Sequence, residues 1–328
     1  MKPVINGIGA YLPPRIVTND DLAHVMDTSD EWIYSHTGIK ARRIADDSIA
    51  ASDLAVEASR QAIGRSSIEA GEIDLVLLAT STPDYPGLPA TASIVQDRLG
   101  ILRAGAMDLV AACSGFVYGV DTARVYILSG AARNVLVIGS EVYSRILNWE
   151  DRSTCVLFGD GAGAAVVSAV EDGAAEDRGI LDGYLRSKGS GHHTLWRKAG
   201  GSRNPVAPEN ETDRFLSMDG RAVYNFAVSA IIETIQVLLS RNGLTMEDVS
   251  YVVPHQANRR IIQAACKRAG FPEERFFTNL ERYANTSAAS IPIAMEELAA
   301  GGLLTPGDVL VTVGFGSGLS YGGNLIRW

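Results

Sequence analysis

Three polar residues in the sequence could together perform covalent acyl transfer. Cys113 follows one apolar run, His255 follows another, and Asn285 begins a patch of small polar residues. A cysteine thiolate can attack a thioester and hold the acyl group covalently. An imidazole N–H and a carboxamide NH₂ group can then donate hydrogen bonds to an enolate that develops on a second substrate. In a Cys-His-Asn protease, by contrast, the Asn has a different task, which is to orient the His.

Each of these residues also has a structural interpretation, which the local sequence leaves open. Cys113 could be a buried cysteine that packs as a small hydrophobic residue. His255 could be a hydrogen-bonded structural histidine, and Asn285 could cap the helix that follows it. The small neighbours of Cys113 favour catalysis, because they allow a sharp turn that leads into a helix. At a helix N-terminus the dipole and the free N–H groups favour the thiolate.

The segments that must position these residues alternate between short apolar runs and longer helical patterns. The apolar, β-branched runs predict buried strands at 73–79, 107–111, 134–138, 162–168, 249–253 and 309–313. The helical spacing predicts helices at 52–64, 116–129, 222–239, 258–269 and 291–299. Because the strands are almost continuously apolar, we expect an α/β fold whose sheets are covered on both faces. Sites in such folds lie at strand-to-helix junctions, where all three residues are predicted to be.

The order of strands and helices occurs twice along the chain. The first half, residues 1–171, contains Cys113, and the second half, residues 172–328, contains His255 and Asn285. Residue identity between the halves is low, so the repeat is one of structural pattern. The charged, glycine-containing stretch 171–179 is the predicted boundary. The polar segment 189–213 is predicted to be an excursion loop that could cover a site.

The composition is that of a globular protein, and it excludes several functional classes. Of the 328 residues, 46% are hydrophobic and 20% are charged. The 29 basic and 38 acidic residues give a formal charge of −9, which disfavours general binding to nucleic acid or to an anionic membrane. Any anionic ligand therefore requires a local basic cluster. Since no uncharged apolar stretch reaches 18 residues, we expect no membrane span, and the interrupted N-terminal run does not predict a signal peptide.

The cysteines and histidines give no sign of a metal site. The chain has three cysteines that are far apart and form no CxxC pair, at positions 113, 155 and 266. This pattern indicates a reducing compartment, and we expect a cytoplasmic protein. His192 and His193 are adjacent and lack an acidic or Cys partner, so we predict no bound metal. The glycine-rich segment 159–163 predicts tight backbone packing, and 314–318 predicts exposed N–H groups that could form an oxyanion hole.

Six motifs, in order along essentially the whole chain, resemble one known family. They are Asp-Thr-Ser-Asp-Glu-Trp at 27–32, Thr-Gly-Ile at 37–39, Ala-Ala-Cys-Ser-Gly-Phe at 111–116, Phe-Gly-Asp-Gly-Ala-Gly-Ala at 158–164, Pro-His-Gln-Ala-Asn at 254–258 and Asn-Thr-Ser-Ala-Ala-Ser at 285–290. The sequence resembles β-ketoacyl-acyl-carrier-protein synthase III, a condensing enzyme of type II fatty acid synthesis. The resemblance implies the thiolase fold, with two similar βα halves packed as five αβαβα layers, and a homodimer.

The resemblance also implies a two-stage reaction without a cofactor. An acyl-CoA primer, acetyl-CoA or a somewhat larger one, would acylate Cys113, and malonyl-acyl-carrier protein would then bind and lose CO₂. His255 and Asn285 would stabilise the resulting enolate, which attacks the acyl-Cys113 thioester. The backbone N–H groups of Cys113 and Ser317 would form the oxyanion hole. Relatives often have Gly at the position of Ser317. A Ser there keeps the N–H available but could change the backbone geometry of this turn.

The substrate contacts carried over by the resemblance involve two groups of residues. Those assigned to CoA are Trp32, His36, Arg152 and Asn258, with the adenine stacked between Trp32 and Arg152. His36 stands where many relatives have Arg, so the contact with phosphate could depend on pH. Those assigned to the acidic carrier protein are Arg260, Lys267 and Arg268, which can share one side of a helix, although such charges more often form a solvated helix face.

The preferred primer and the exact pathway are left open by the sequence. Leu88 matches a position where relatives often have a Phe that gates the acyl pocket across the dimer. We hypothesise that this smaller residue admits primers longer or more branched than acetyl. The alternatives are a related condensing enzyme of secondary metabolism, a cysteine-dependent thioester hydrolase, and a non-catalytic acyl-CoA binder.

Overall fold

The computed structural model describes residues 1–171, 173, 178–206 and 208–328. The predicted boundary between residues 171 and 172 lies partly outside the described residues, so the division of the chain there stays a prediction. The strands in the described residues are β1 Lys2–Tyr11, β2 Ile16–Thr18, β3 Ala41–Arg43, β4 Leu75–Ala79, β5 Gly105–Leu109, β6 Asn134–Glu141, β7 Gly161–Val170, β8 Gly179–Ser187, β9 Leu195–Arg197, β10 Leu216–Met218, β11 Tyr251–Pro254, β12 Val309–Gly316 and β13 Ser320–Arg327. The α-helices in the same residues are α1 Asn19–Ala23, α2 Asp30–Thr37, α3 Ala51–Gly64, α4 Thr91–Arg98, α5 Gly115–Leu128, α6 Gly220–Arg241, α7 Arg259–Ala269, α8 Leu280–Tyr283 and α9 Ser290–Ala300.

The two main sheets have the same topology. The first has the strand order β1-β7-β6-β4-β5, in which β7 is antiparallel to both neighbours and β4 is parallel to both of its own. The second has the order β8-β13-β12-β11, in which β13 is antiparallel to both neighbours and β11 is parallel to β12. Phe276 forms a parallel bridge with Val252 of β11, at the place that β5 occupies in the first sheet. The two similar βα halves expected from the element order are therefore present.

Helices cover the two sheets in three layers. α3 and α4 share one buried apolar cluster with one face of the first sheet. α5 and α9 lie between the sheets and form a core with strands of both. α6 and α7 pack against each other and against the outer face of the second sheet. The predicted αβαβα arrangement of five layers is confirmed.

The predicted strands and helices are all found, with ends that shift by no more than three residues. Several strands were not predicted, because β1, β8 and β13 lack a continuous β-branched run. The excursion 189–213 is more ordered than a plain loop. It contains β9, which pairs with β10 to form a two-stranded ribbon, and Leu195 at its start points to the site described below.

Close approaches at two glycines bring the second half of the chain against the first sheet. A Cβ at Gly139 in β6 would lie 2.3 Å from the carbonyl oxygen of Ala288. A Cβ at Gly163 in β7 would lie 2.7 Å from the ring of Pro292 in α9. The tight packing predicted for segment 159–163 is confirmed. It also places the turn that precedes α9 directly on the sheet that leads to Cys113.

α6 is, within the described residues, the one helix long and apolar enough to cross a bilayer. Its apolar residues, among them Ala227, Ile231 and Ile235, are buried and pack in the core of the second sheet. The length and the apolar composition of α6 are therefore accounted for by its place in the fold.

Candidate active site

Cys113 lies in a sharp turn between β5 and α5. It is the middle residue of the one-turn 3-10 helix Ala112–Ser114, and α5 begins immediately afterwards. Ala112 has a φ of 46°, a left-handed conformation that a residue with a Cβ adopts at a cost in free energy. Cys113 is a free thiol with only 3% of its surface exposed. The predicted position of the thiol at a strand-to-helix junction is confirmed.

The protonation state of Cys113 differs from the expectation. Burial raises the pKa of the Cys113 thiol to about 12, although a hydrogen bond from Ser287 acts in the opposite direction. The helix N-terminus therefore does not by itself make Cys113 a thiolate. Desolvation of the charged form outweighs the dipole here, so the thiol must lose its proton during the reaction.

His255 follows β11 and is anchored by its backbone and its ring. Its N–H extends the β11–β12 pairing by donating to the carbonyl oxygen of Val313 at 2.7 Å. Nδ1 lies 2.7 Å from the Ser290 hydroxyl, and the ring packs edge-on against Phe315. Burial lowers the pKa of His255 to about 3, so the ring is neutral at pH 7. The Ser290 hydroxyl also lies 2.9 Å from the carbonyl oxygen of Ser287, so that carbonyl and Nδ1 compete for its single proton. In the tautomer that carries its proton on Nε2, the ring can donate a hydrogen bond to a substrate oxygen.

Asn285 is held on both sides by the segment that precedes β7. Its N–H donates to the carbonyl oxygen of Leu157 at 2.9 Å, and its carbonyl oxygen accepts from Gly159 at 3.0 Å. The side-chain Oδ1 accepts a hydrogen bond from the Ser287 N–H at 2.8 Å. Since Oδ1 is engaged, the donor end of the amide is the end available to a ligand. Ala289 is the N-cap residue of α9, so Asn285 does not cap this helix directly and instead holds the turn Ser287–Ala289 that leads into it.

One cavity brings the three residues together. It has a volume of about 240 Å³, and Cys113, His255 and Asn285 all line it. Most of its remaining wall is apolar, and Phe315, Val156 and Leu195 contribute to it. A buried thiol, a neutral imidazole and a carboxamide donor therefore share one largely apolar cavity. This arrangement suits attack of the thiol on a thioester and hydrogen bonding to an enolate oxygen.

Comparison with known proteins gives one consistent result. The family described as 3-Oxoacyl-[acyl-carrier-protein (ACP)] synthase III matches residues 107–189, and its C-terminal part matches residues 239–328. A β-ketoacyl-[acyl-carrier-protein] synthase III of Caldanaerobacter subterraneus subsp. tengcongensis is 48% identical over 326 residues, which are 99% of this chain and 97% of that protein. The chain belongs to the β-ketoacyl-[acyl-carrier-protein] synthase III family. It is an acyltransferase, a condensing enzyme with the thiolase fold.

Solved structures agree with this assignment. The 3-oxoacyl-[acyl-carrier-protein] synthase III of Aquifex aeolicus VF5 superimposes with a TM-score of 0.91 at 42% identity and covers 99% of this chain and 100% of its own. The priming β-ketosynthase from the R1128 polyketide biosynthetic pathway superimposes with a TM-score of 0.92 at 35% identity and covers 99% of this chain and 96% of its own.

The residues that are assigned to CoA by the resemblance to synthase III lie around the mouth of the same cavity. Trp32, His36, Arg152 and Asn258 all line it. The guanidinium of Arg152 lies 5.1 Å from the centre of the Trp32 ring, and His36 stacks on the same indole at 4.6 Å. Asn258 caps α7 and donates from Nδ2 to the carbonyl oxygen of His36 at 3.1 Å. The structure therefore brings these four residues together, and their assignment to CoA stays a prediction.

Next to this mouth, α7 carries the basic residues that were assigned to the carrier protein. Arg260, Lys267 and Arg268 are exposed, whereas Ile261, Ile262, Ala265 and Cys266 on the other side are buried. The Arg260 side chain donates from Nε to the carbonyl oxygen of Ser35 at 3.0 Å. The predicted amphipathic helix is confirmed, and its basic face begins at the edge of the cavity.

The end of β12 lies against the backbone of Cys113. A Cβ at Gly316 would lie 2.8 Å from the backbone nitrogen of Cys113. Ser317 follows Gly316, and its hydroxyl donates to the carbonyl oxygen of Leu195. The Ser317 side chain is thus directed at the excursion segment, and the role of its N–H in an oxyanion hole stays a prediction.

Leu88 does not line the cavity of its own chain. Its surface is 88% exposed, in the loop between β4 and α4. Its assignment to the acyl pocket therefore requires a second copy of the chain.

Sequence reasoning assigned no role to several buried polar residues behind the site. Glu141 ends β6, and Tyr143 follows two residues later and stacks on Phe158 at 4.8 Å. Ser287 begins the turn before α9 and donates to Glu141, and Ser290 begins α9 itself and contacts His255. The available signal was the carboxylate of Glu141, which closely follows the apolar run Val-Leu-Val-Ile at 135–138, where a buried charge is costly unless it has a partner or a function.

Proposed function

We propose that the enzyme condenses an acyl group carried on Cys113 with malonyl-acyl-carrier protein, with loss of CO₂. The observation that supports this proposal is the shared cavity of Cys113, His255 and Asn285. A thioester hydrolase needs a bound water and a base to activate it. Here the buried ring of His255, whose pKa is lowered to about 3, is a weak base and a suitable neutral hydrogen-bond donor.

In the first stage, the sulfur of Cys113 attacks the carbonyl carbon of an acyl-CoA primer. The negative charge that develops on the carbonyl oxygen is stabilised by the backbone N–H groups of Cys113 and Ser317. This assignment is supported by Gly316, the residue before Ser317, which lies against the backbone of Cys113. The tetrahedral intermediate then collapses, the bond to the CoA sulfur breaks, and the acyl group remains on Cys113.

In the second stage, malonyl-acyl-carrier protein occupies the same cavity. His255 and Asn285 donate hydrogen bonds to the thioester oxygen of the malonyl group, so that loss of CO₂ leaves a stabilised enolate. The enolate carbon attacks the acyl carbon on Cys113, and the sulfur of Cys113 leaves. The product is a β-ketoacyl group on the carrier protein.

The surface around the cavity suits these two substrates. Trp32 and Arg152 offer an aromatic face and a guanidinium plane for the adenine of CoA. At 5.1 Å they contact each other, so Arg152 must move for the base to enter between them. The exposed cations of α7, Arg260, Lys267 and Arg268, offer a basic surface to an acidic carrier protein, although the whole chain carries a charge of −9. No resident cofactor takes part in the proposed reaction, and we propose that the enzyme acts in the cytoplasm.

A homodimer would complete the acyl pocket. β5 is the edge strand of the first sheet, so one side of its backbone has no strand partner among the described residues. Val110 follows this edge and is 84% exposed, and Leu88 is 88% exposed. Apolar side chains so exposed beside an open edge favour pairing with a second copy. Leu88 of one copy would then narrow the pocket of the other, and its small size would admit primers larger than acetyl.

The nucleophile and the primer can be identified in one experiment. Intact-protein mass spectrometry after incubation with acyl-CoAs from acetyl to octanoyl should show one acyl adduct, which is absent in Cys113→Ala. Butyryl and isobutyryl groups should load at least as well as acetyl. A preference for acetyl by orders of magnitude would contradict the role given to Leu88, and an adduct that persists in Cys113→Ala would contradict the proposed nucleophile.

The division of labour within the cavity is tested by two further variants. His255→Ala and Asn285→Ala should still acquire the acyl group on Cys113 but should lose malonyl decarboxylation, which is followed as CO₂ release. If both variants fold and neither can be acylated, the assignment of His255 and Asn285 to the second stage is wrong.

A further inference from the structure

A buried carboxylate lies behind the nucleophile, and the proposed reaction does not use it. Glu141 has no exposed surface, and its carboxylate is the acceptor in each hydrogen bond that it makes with the described residues. Oε2 accepts from the Thr82 hydroxyl at 2.6 Å and from the Thr80 hydroxyl at 3.3 Å. The Ser81 N–H donates to both carboxylate oxygens, and the Ser287 hydroxyl donates to Oε1 at 3.0 Å. A shell made of donors stabilises the ionised carboxylate.

Ser287 connects this carboxylate to the nucleophile. It begins the turn Ser287–Ala289, which packs against the turn Ala112–Ser114 that carries Cys113. Its hydroxyl donates its proton to Glu141, which leaves its oxygen free to accept the proton of the neighbouring Cys113 thiol. Its backbone has a φ of 50°. Because a left-handed Ser persists only where its surroundings hold it, the direction of this hydroxyl is imposed by the fold.

The thiol of Cys113 needs a proton acceptor, and there are two candidates, His255 in the cavity and Glu141 behind it. The pKa of His255 is lowered to about 3 by burial, which makes its ring a poor base at neutral pH. Burial raises the pKa of Glu141 only to about 7, since its donors oppose the effect of desolvation. A carboxylate with this pKa is the stronger base of the two and is half ionised near neutral pH.

The other titratable groups that face Glu141 do not compete with it. They are Cys113 and Tyr143, and burial raises the pKa of both. The Tyr143 hydroxyl lies 3.3 Å from the Ser287 Oγ and stays protonated throughout the neutral range. A single ionisation in this cluster, that of Glu141, is therefore expected between pH 5 and pH 9.

We propose that Glu141, acting through the Ser287 hydroxyl, takes the proton of Cys113 during acylation and returns it after condensation. As the bond forms between the Cys113 sulfur and the acyl carbon, the thiol proton moves to the Ser287 oxygen, and the Ser287 proton moves to Glu141. CoA leaves as a thiolate and is protonated by solvent. When condensation breaks the bond to the Cys113 sulfur, the proton returns along the same path. One proton is consumed per turnover, as decarboxylation of a malonyl carboxylate requires.

The pH profile of acylation tests this role, which rests on Cys113 as the nucleophile. Single-turnover acyl transfer from butyryl-CoA is followed by intact mass from pH 5.5 to pH 9. In the wild type the rate should rise with pH and level off above about 7, because the ionised Glu141 is the acceptor. Glu141→Gln and Ser287→Ala should each lower the rate at pH 8 by roughly 100-fold, in the range of general-base contributions. Both should also abolish the inflection.

Further variants separate a proton relay from a structural role. Glu141→Asp should restore part of the rate and the inflection, because it retains a carboxylate. The matched control is Glu233→Gln. Glu233 lies on α6, outside the cavity, and accepts hydrogen bonds from Tyr184 and Tyr321. This variant should be acylated at the wild-type rate. Thermal melting identifies variants that do not fold. If folded Glu141→Gln or Ser287→Ala kept the wild-type acylation rate and the wild-type inflection, the proposal would be overturned. In that case, loss of the acyl adduct in Cys113→Ala alone would still support Cys113 as the nucleophile.

Discussion

Burial controls the protonation of the residues that face the cavity. It raises the pKa of Cys113 to about 12 and lowers that of His255 to about 3, so both are neutral at physiological pH. The residue types and their order predicted a thioester-handling site, and the structure places them in one cavity. Their protonation could not be predicted in the same way, because it depends on desolvation by residues that are distant in sequence. Glu141 was missed for the same reason, since its donors come from two other segments.

The lowered pKa of His255 predicts a specific loss of stability in acid. The unfolded chain binds a proton at this residue below its ordinary pKa of 6.5, whereas the folded chain does so only near 3. The free energy of unfolding should therefore fall as the pH falls through this window. Between pH 7 and pH 5 the wild type should lose about 2 kcal/mol more than His255→Ala. Urea denaturation at both pH values measures the difference, and the exposed His24→Ala serves as control. Equal losses in wild type and His255→Ala would show that the ring titrates normally.

The elements predicted best are the strands whose apolar sequence already indicates that they are buried. The apolar runs of β4 and β6 are buried on both faces, so composition identifies them. β13 was missed because it contains Gly322 and Gly323 where a typical strand has β-branched residues. A Cβ at Gly323 would lie 2.0 Å from the carbonyl oxygen of Thr312 on the neighbouring strand. Glycine there is required by a contact between distant segments, which local propensity does not contain.

At the end of β12, Gly316 is predicted to be indispensable for acylation. In Gly316→Ala the new Cβ would lie 2.8 Å from the backbone nitrogen and 2.9 Å from the Cβ of Cys113, so the backbone must move. A displacement of this kind should lower the acylation rate by roughly 100-fold. Gly71→Ala is the matched control, since a Cβ there has no atom within 4 Å. Single-turnover mass spectrometry compares the two. A Gly316→Ala enzyme as fast as the control would exclude a close fit between this turn and the nucleophile.

The whole molecule presents an open sheet edge beside exposed apolar side chains, and this predicts a dimer. Light scattering after gel filtration should give twice the 34.9 kDa of one chain. Val110→Asp should dissociate the dimer, because it places a charge beside the β5 edge. It should also lower the acylation rate, because the acyl pocket of a monomer lacks the part supplied by the second copy. Leu303→Asp, at a position that is 50% exposed beyond α9, is the control and should remain dimeric. A wild-type enzyme that is monomeric at assay concentrations would contradict this assembly.

The depth of Cys113 also has a consequence for chemical durability. Oxidants and alkylating agents react with exposed thiolates. Only 3% of the Cys113 surface is exposed, and its raised pKa keeps the thiol protonated. Hydrogen peroxide and iodoacetamide should therefore modify the resting enzyme slowly, whereas an electrophile delivered on a pantetheine arm through the cavity should react fast. A covalent inhibitor of this enzyme would owe its selectivity to the shape of that passage more than to the strength of its reactive group.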